Sequence, residues 1–137
     1  MRSDATPWHP GRLAGACLAL LASLGAPLAQ AQSGDAQKGR QLFESRCMGC
    51  HSLDANRVGP ALGTVVGRVA GKQADFAYSA ALTRATHVWT PEKLQTWLTD
   101  PEALLPGQAM GYSLSLPDDR RDVVAFLQSL SKARPAQ

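Results

Sequence analysis

The chain has 137 residues, with 14 Lys and Arg against 11 Asp and Glu and a formal net charge of +3. A balance this mild, with no charged run, offers no footprint for nucleic acid or an anionic membrane surface and names no partner. The length suits one small domain with a modest core.

Residues 1–31 read as a secretory signal. Arg2 and Arg12 flank the start, an apolar run extends from Leu13 to Leu24, and Ala29-Gln30-Ala31 supplies an A-x-A cleavage pattern. The run is about a dozen residues, short of the ~20 that a spanning helix needs, so cleavage is preferred to a retained anchor. Cys17 lies inside that run, with Ala14 three residues before it, and is expected to leave with the signal rather than carry a lipid. The mature chain then starts at Gln32 and forms one domain over 32–137. It keeps two cysteines, too few for a disulfide framework once both are used elsewhere, and a net charge near +2. Export places it in a bacterial periplasm.

From Asp35 to Cys47, Ala36, Gly39, Leu42 and Phe43 recur at helical spacing, with Ser33 or Asp35 available as cap. Gly39 costs this helix about 1 kcal/mol against alanine, which predicts that another backbone comes close there. The helix delivers Cys47-Met48-Gly49-Cys50-His51, a C-x-x-C-H run of the kind that attaches c-type haem. Each thiolate can add to one haem vinyl group, and His51 then lies beneath the iron as an axial ligand. Zinc would need four ligands, and no second C-x-x-C or H-x-x-x-H exists. A redox dithiol would want a preceding strand and a βαβ pattern, where this chain has a helix.

Residues 52–75, rich in glycine and valine, read as loop, and a short helix is expected around Ser79–Ala85. Thr90-Pro91-Glu92 caps a helix carrying Leu94, Trp97 and Leu98 that should stop before Pro101. Leu105–Gly111 is a proline–glycine segment without helical periodicity. The most secure helix follows Pro117-Asp118-Asp119 and carries Val123, Val124, Phe126, Leu127 and Leu130. Ser33-Gly34 and Ala133–Gln137 read as loose ends. No hairpin, repeat or second C-x-x-C-H is found, so the class is all-α with one haem.

Few residues can close the other face of the iron. Met1 leaves with the signal, and Met48, between the two cysteines, cannot reach across. Met110 remains, although methionines more often fill core space. His87 is the alternative, and a lysine would first have to lose its proton. A thioether opposite an imidazole favours ferrous iron and leaves no open position, which points to outer-sphere electron transfer.

The chain resembles the class I cytochromes c, particularly the short bacterial and mitochondrial kind, over nearly all of its mature length. The likeness rests on Gly39-x-x-x-Phe43, Cys47-Met48-Gly49-Cys50-His51, Gly59-Pro60-x-Leu62, Gly67-Arg68-Val69-Ala70-Gly71 and Phe76-Ala77-Tyr78-Ser79. It continues through Trp89-Thr90, Leu94-x-x-Trp97-Leu98, Pro106-Gly107-x-x-Met110 and Arg120-x-Asp122-x-x-Ala125-Phe126-Leu127. The resemblance implies a fold in which N- and C-terminal helices cross beside a covalently bound haem. It implies that the Pro60 carbonyl accepts from the free nitrogen of His51, and that Arg68, Tyr78 and Trp89 hold the inner haem propionate. Gly39 and Phe43 would meet Val123 and Phe126.

There are departures. Trp97 stands where the family usually has an aromatic hydroxyl near the methionine sulfur, so a hydrogen bond to that sulfur is not expected. Leu82 replaces a frequent polar residue, and Gln108 a common threonine. Of the lysines that ring the haem edge in mitochondrial members, Arg46 keeps a charge, while Gln41 and Ala109 do not. The expectation is therefore a monomeric monohaem electron carrier rather than an enzyme, with Cys47, Cys50, His51, Pro60, Arg68, Tyr78, Trp89, Trp97 and Met110 around the haem. Redox proteins would meet it transiently, with no nucleic acid and no stable membrane insertion. A haem subunit of a larger dehydrogenase or oxidase, or a haem enzyme or sensor with an open sixth position, are the competing readings.

Overall fold

The computed structural model describes residues 33–133. The expected signal, its cleavage site and Cys17 lie outside the described residues, as do the last four. Five helices follow in order: α1 (Ala36–Arg46), α2 (Ala80–Arg84), α3 (Pro91–Thr99), α4 (Pro101–Leu104) and α5 (Pro117–Ala133). Among the described residues there is no strand, only an isolated antiparallel bridge between Val69 and Val88, so the class is all-α as expected. No helix among them is long and apolar enough to cross a membrane.

Local chemistry sets the helix ends. Asp35, rather than Ser33, caps α1: its carboxylate accepts from the amides of Gln37 at 2.9 Å and Lys38 at 3.2 Å. Thr90 caps α3 through Lys93, with Pro91 in the first turn, where its missing N–H costs nothing. α3 ends before Pro101 as expected, but Pro101 also opens α4, which the sequence reading missed. Asp100 closes one helix and caps the next, accepting from the amide of Ala103 at 3.0 Å.

The core is the crossing of α1 and α5. A Cβ at Gly39 would sit 1.9 Å from the carbonyl oxygen of Asp122, which accounts for the helix-weakening glycine. Beside it Phe43 and Phe126 meet at 5.6 Å between ring centroids, and Phe43 and Val123 are almost wholly buried. Gly34 is not loose: it lies against the Arg121 carbonyl, and the next amide, of Asp35, donates to the Asp122 carboxylate at 2.7 Å. α3 packs on α5 at the other end of the core and presents Leu94 and Trp97 inward. Two spans separate these helices, residues 47–79 and 105–116, and they carry most of the site.

Candidate metal centre

α1 runs directly into the C-x-x-C-H turn. The amides of Cys50 and His51 both donate to the Cys47 carbonyl, at 3.1 and 2.9 Å, which folds Cys47, Cys50 and His51 into a single turn. Burial, reinforced by neighbouring Cys50, pushes the Cys47 thiol up to about 11. An activated redox cysteine shows the opposite shift, so Cys47 does not have the electrostatics of an attacking thiol.

His51 Nδ1 lies 2.8 Å from the Pro60 carbonyl oxygen. The carbonyl can only accept, so Nδ1 carries the hydrogen and Nε2 keeps its lone pair for a metal. Gly59 makes this approach possible, since a Cβ there would stand 2.2 Å from the imidazole Cε1. The amide of Gly59 donates to the Cys50 carbonyl at 2.8 Å, fastening the Gly59-Pro60 segment to the turn.

On the Met110 side the structure corrects the sequence reading. Trp97, buried in the core, donates its indole N–H to the Met110 sulfur at 3.3 Å. The missing hydroxyl is replaced by another donor at the same task. Gln108, noted only as a departure, accepts from the Met110 amide through Oε1. Glu102 on α4 holds the loop from outside, accepting from the Gly107 amide at 2.8 Å and from the Gln108 side chain at 3.3 Å. Neither Glu102 nor the bracing role of Gln108 was anticipated. The available signal was the Asp100-Pro101-Glu102 helix start.

Arg68, Tyr78 and Trp89 form a second cluster. Arg68 donates to the Ala61 carbonyl at 2.9 Å, to Thr64 at 3.2 Å and to the Gln73 side chain, and the Gln73 amide donates to the Tyr78 hydroxyl at 3.3 Å. The Trp89 amide donates to the Arg68 carbonyl at 2.9 Å. Arg68 Nε is buried with no partner, and burial lowers the guanidinium pKa. His87, the alternative ligand, packs edge-on against Trp89 at 4.6 Å, and Trp89 meets Trp97 edge-on at 5.2 Å. Two tryptophans thus separate His87 from Met110.

These residues fit a haem. Among the described residues no three His, Cys, Asp or Glu side chains cluster to hold a bare metal ion. A lone imidazole nitrogen and a thioether suit an iron that arrives with its equatorial ligands already supplied. Leu53, Leu62, Val66, Leu82, Leu98 and Leu105 pack on the core while only half-buried, so apolar surface is left that a porphyrin could cover. The unpartnered Arg68 Nε suits its carboxylate.

Comparison with known proteins supports the haem itself. A family model described as cytochrome c matches residues 36–131. Cytochrome c of Euglena viridis is 40% identical over 100 residues, covering 71% of this chain and 98% of that one. Cytochrome c2 of Agrobacterium tumefaciens is 35% identical over 111 residues, or 76% and 99% of the two chains. Cytochrome cy of Rhodobacter capsulatus is 39% identical over 103 residues, and this match spans 73% of the chain but only 51% of that longer protein. The solved structure of cytochrome cH from Methylobacterium extorquens superposes with a TM-score of 0.66 at 37% identity, covering 70% and 99%.

Proposed function

The chain belongs to the class I cytochromes c, a family of electron carriers with one covalently held haem c, and on that premise we propose a periplasmic carrier whose iron is held by His51 and Met110. Residues 1–31 would be its export signal and 32–137 its single domain. Cys47 and Cys50 form the two thioether links. The bound haem supplies a one-electron Fe(II)/Fe(III) couple.

The protein's own residues do the rest. The Pro60 carbonyl holds the His51 ring in the tautomer that offers Nε2 to iron and strengthens it as a donor. Met110 closes the opposite position, which excludes substrate binding at iron and makes the chain a carrier rather than an enzyme. Arg68, Tyr78 and Trp89 would hold a haem propionate, and that carboxylate would supply the partner that the buried Arg68 Nε lacks. Beside the attachment turn Met48 and Val58 are 42% and 79% exposed, and Arg57 donates to the Met48 carbonyl at 2.7 Å. A redox partner would therefore meet exposed apolar side chains beside the Arg57 guanidinium, which suits brief contact by a monomer.

The observation that carries this reading is the 2.8 Å contact between His51 Nδ1 and the Pro60 carbonyl, which in the neutral ring leaves the Nε2 lone pair free to ligate iron. The test is the visible and near-infrared spectrum of the exported holoprotein. The weak methionine-to-ferric-iron charge-transfer band should be present and should vanish in Met110→Ala, whose ferrous form should bind carbon monoxide. A haem-loaded wild type without the band, or one that binds carbon monoxide as readily as the variant, would overturn the proposed ligand pair.

A further inference from the structure

We propose that Met48 is a modification site: a peroxide oxidises its thioether to the sulfoxide ahead of that of Met110, and the change turns an apolar contact beside the attachment turn polar. The inference rests on the reading above that haem is carried on that turn and that redox partners meet it there.

Three observations carry it. Met48 is 42% exposed although its backbone is held at both ends: its amide donates to the Phe43 carbonyl at 3.1 Å, and its carbonyl accepts from Arg57 at 2.7 Å. Exposure of this side chain is therefore a fixed feature of the turn. Met110, by contrast, is only partly exposed, packs against the core, and accepts the Trp97 indole N–H on its sulfur at 3.3 Å. With one sulfur lone pair on the iron and the other taking that hydrogen bond, neither is free to attack a peroxide oxygen. The third observation is the setting. Val58 follows Arg57 and is 79% exposed, so the Met48 thioether belongs to apolar surface beside the turn.

The step balances. A sulfur lone pair attacks the nearer peroxide oxygen, an S–O bond forms as the O–O bond breaks, and the peroxide, reduced by that electron pair, leaves as water or an alcohol. The product is polar and chiral where the thioether was apolar and flexible. An encounter that covers it must strip its oxygen of water, a cost the thioether does not carry. Electron exchange through contact at the turn should therefore slow about tenfold. The change is reversible: a methionine sulfoxide reductase restores the thioether and releases the oxygen as water, with electrons from a dithiol.

The experiment treats ferric holoprotein briefly with hydrogen peroxide, maps the peptides by mass spectrometry and records the near-infrared band on the same samples. Electron self-exchange, measured by NMR in mixtures of ferric and ferrous protein, reads the contact with a second copy of this chain as the probe. The expected result is a single added oxygen on the Met48 peptide before any on the Met110 peptide, with the band retained. Self-exchange should be about tenfold slower and should recover after reductase treatment. Met48→Leu should keep its own starting rate through the same treatment, and Met48→Gln, a polar stand-in for the sulfoxide, should exchange slowly without oxidant. Oxygen arriving first at Met110 overturns the proposal, as does a Met48 sulfoxide whose self-exchange stays within about twofold of the untreated rate. A haem-loaded wild type that lacks the band before treatment overturns the ligand reading instead. The mapping then decides the site alone: oxygen first on Met48 upholds it, and oxygen first on Met110 sinks it.

Discussion

The two faces of the site are built in different ways. On the His51 face, backbone does the work: the attachment turn closes on the Cys47 carbonyl, Gly59 donates to Cys50, and His51 is held by the Pro60 carbonyl. On the Met110 face the holding contacts come from side chains on three separate stretches, with Trp97 on the sulfur, Gln108 on the Met110 amide and Glu102 on Gly107. A backbone framework fails all at once, whereas a set of side-chain braces can be loosened one at a time. The His51 face should therefore decide whether the protein exists, and the Met110 face how it behaves.

The largest break is expected at Gly59. Alanine there would place a methyl group 2.2 Å from the imidazole, and the ring cannot retreat without abandoning Pro60. Overpacking of this kind costs about 1–3 kcal/mol where neighbours can yield, and here the neighbour is the ring proposed to hold the iron. Gly59→Ala should cut the yield of haem-loaded protein severely and lower the urea midpoint of what remains. A variant that loads haem normally and unfolds at the wild-type midpoint would show that this face yields as readily as the other.

That asymmetry also governs how much could be read beforehand. Gly39 and the C-x-x-C-H turn are legible because each meets a requirement of the backbone, a close approach or a fixed spacing, that only certain residues satisfy, whereas Pro60 is legible only through the family resemblance and the approach of Gly59 to His51 only in the structure. α4 is hidden in the sequence because Pro101 reads as a stop. The same fixed φ that ends α3 suits the first turn of the next helix once Asp100 caps it. The Trp97–sulfur bond was not expected because the sequence shows the loss of a hydroxyl but not where an indole N–H points. Glu102 and Gln108 stayed hidden for the same reason: a brace across a loop depends on rotamers and on an element that had not been recognised.

A smaller effect is expected when one brace of the Met110 face is removed. Glu102→Ala removes acceptors from the Gly107 amide and the Gln108 amide group at an exposed position, where water can partly replace them. The expected cost is about 1 kcal/mol, confined to the loop. Imidazole should bind the ferric protein a few-fold more tightly, with the global urea midpoint almost unmoved. If the midpoint falls as far as in Gly59→Ala, the Met110 loop is part of the cooperative core and the contrast between the faces is wrong.

The smallest effect tests how far the Met110 face extends. The His87 ring abuts Trp89, which backs Trp97, which holds the sulfur. Burial, and secondarily Lys93, lowers the pKa of His87 from its ordinary 6.5, and its Nε2 is buried without a partner. Below pH 6.5 the unfolded chain takes up a proton at this histidine before the folded one does, so the stability due to its neutral form is full above that pH and falls as the solution is acidified. His87→Leu should flatten the part of the decline in melting temperature between pH 7.5 and 5 that belongs to this group, leaving the slope from the carboxylates in place. Because the ring leans on the tryptophan pair, acidification should also ease imidazole binding in wild type more than in His87→Leu. Parallel imidazole titrations in the two proteins would confine the Met110 face to Trp97 and its loop, while diverging ones would extend it through Trp89 to the surface.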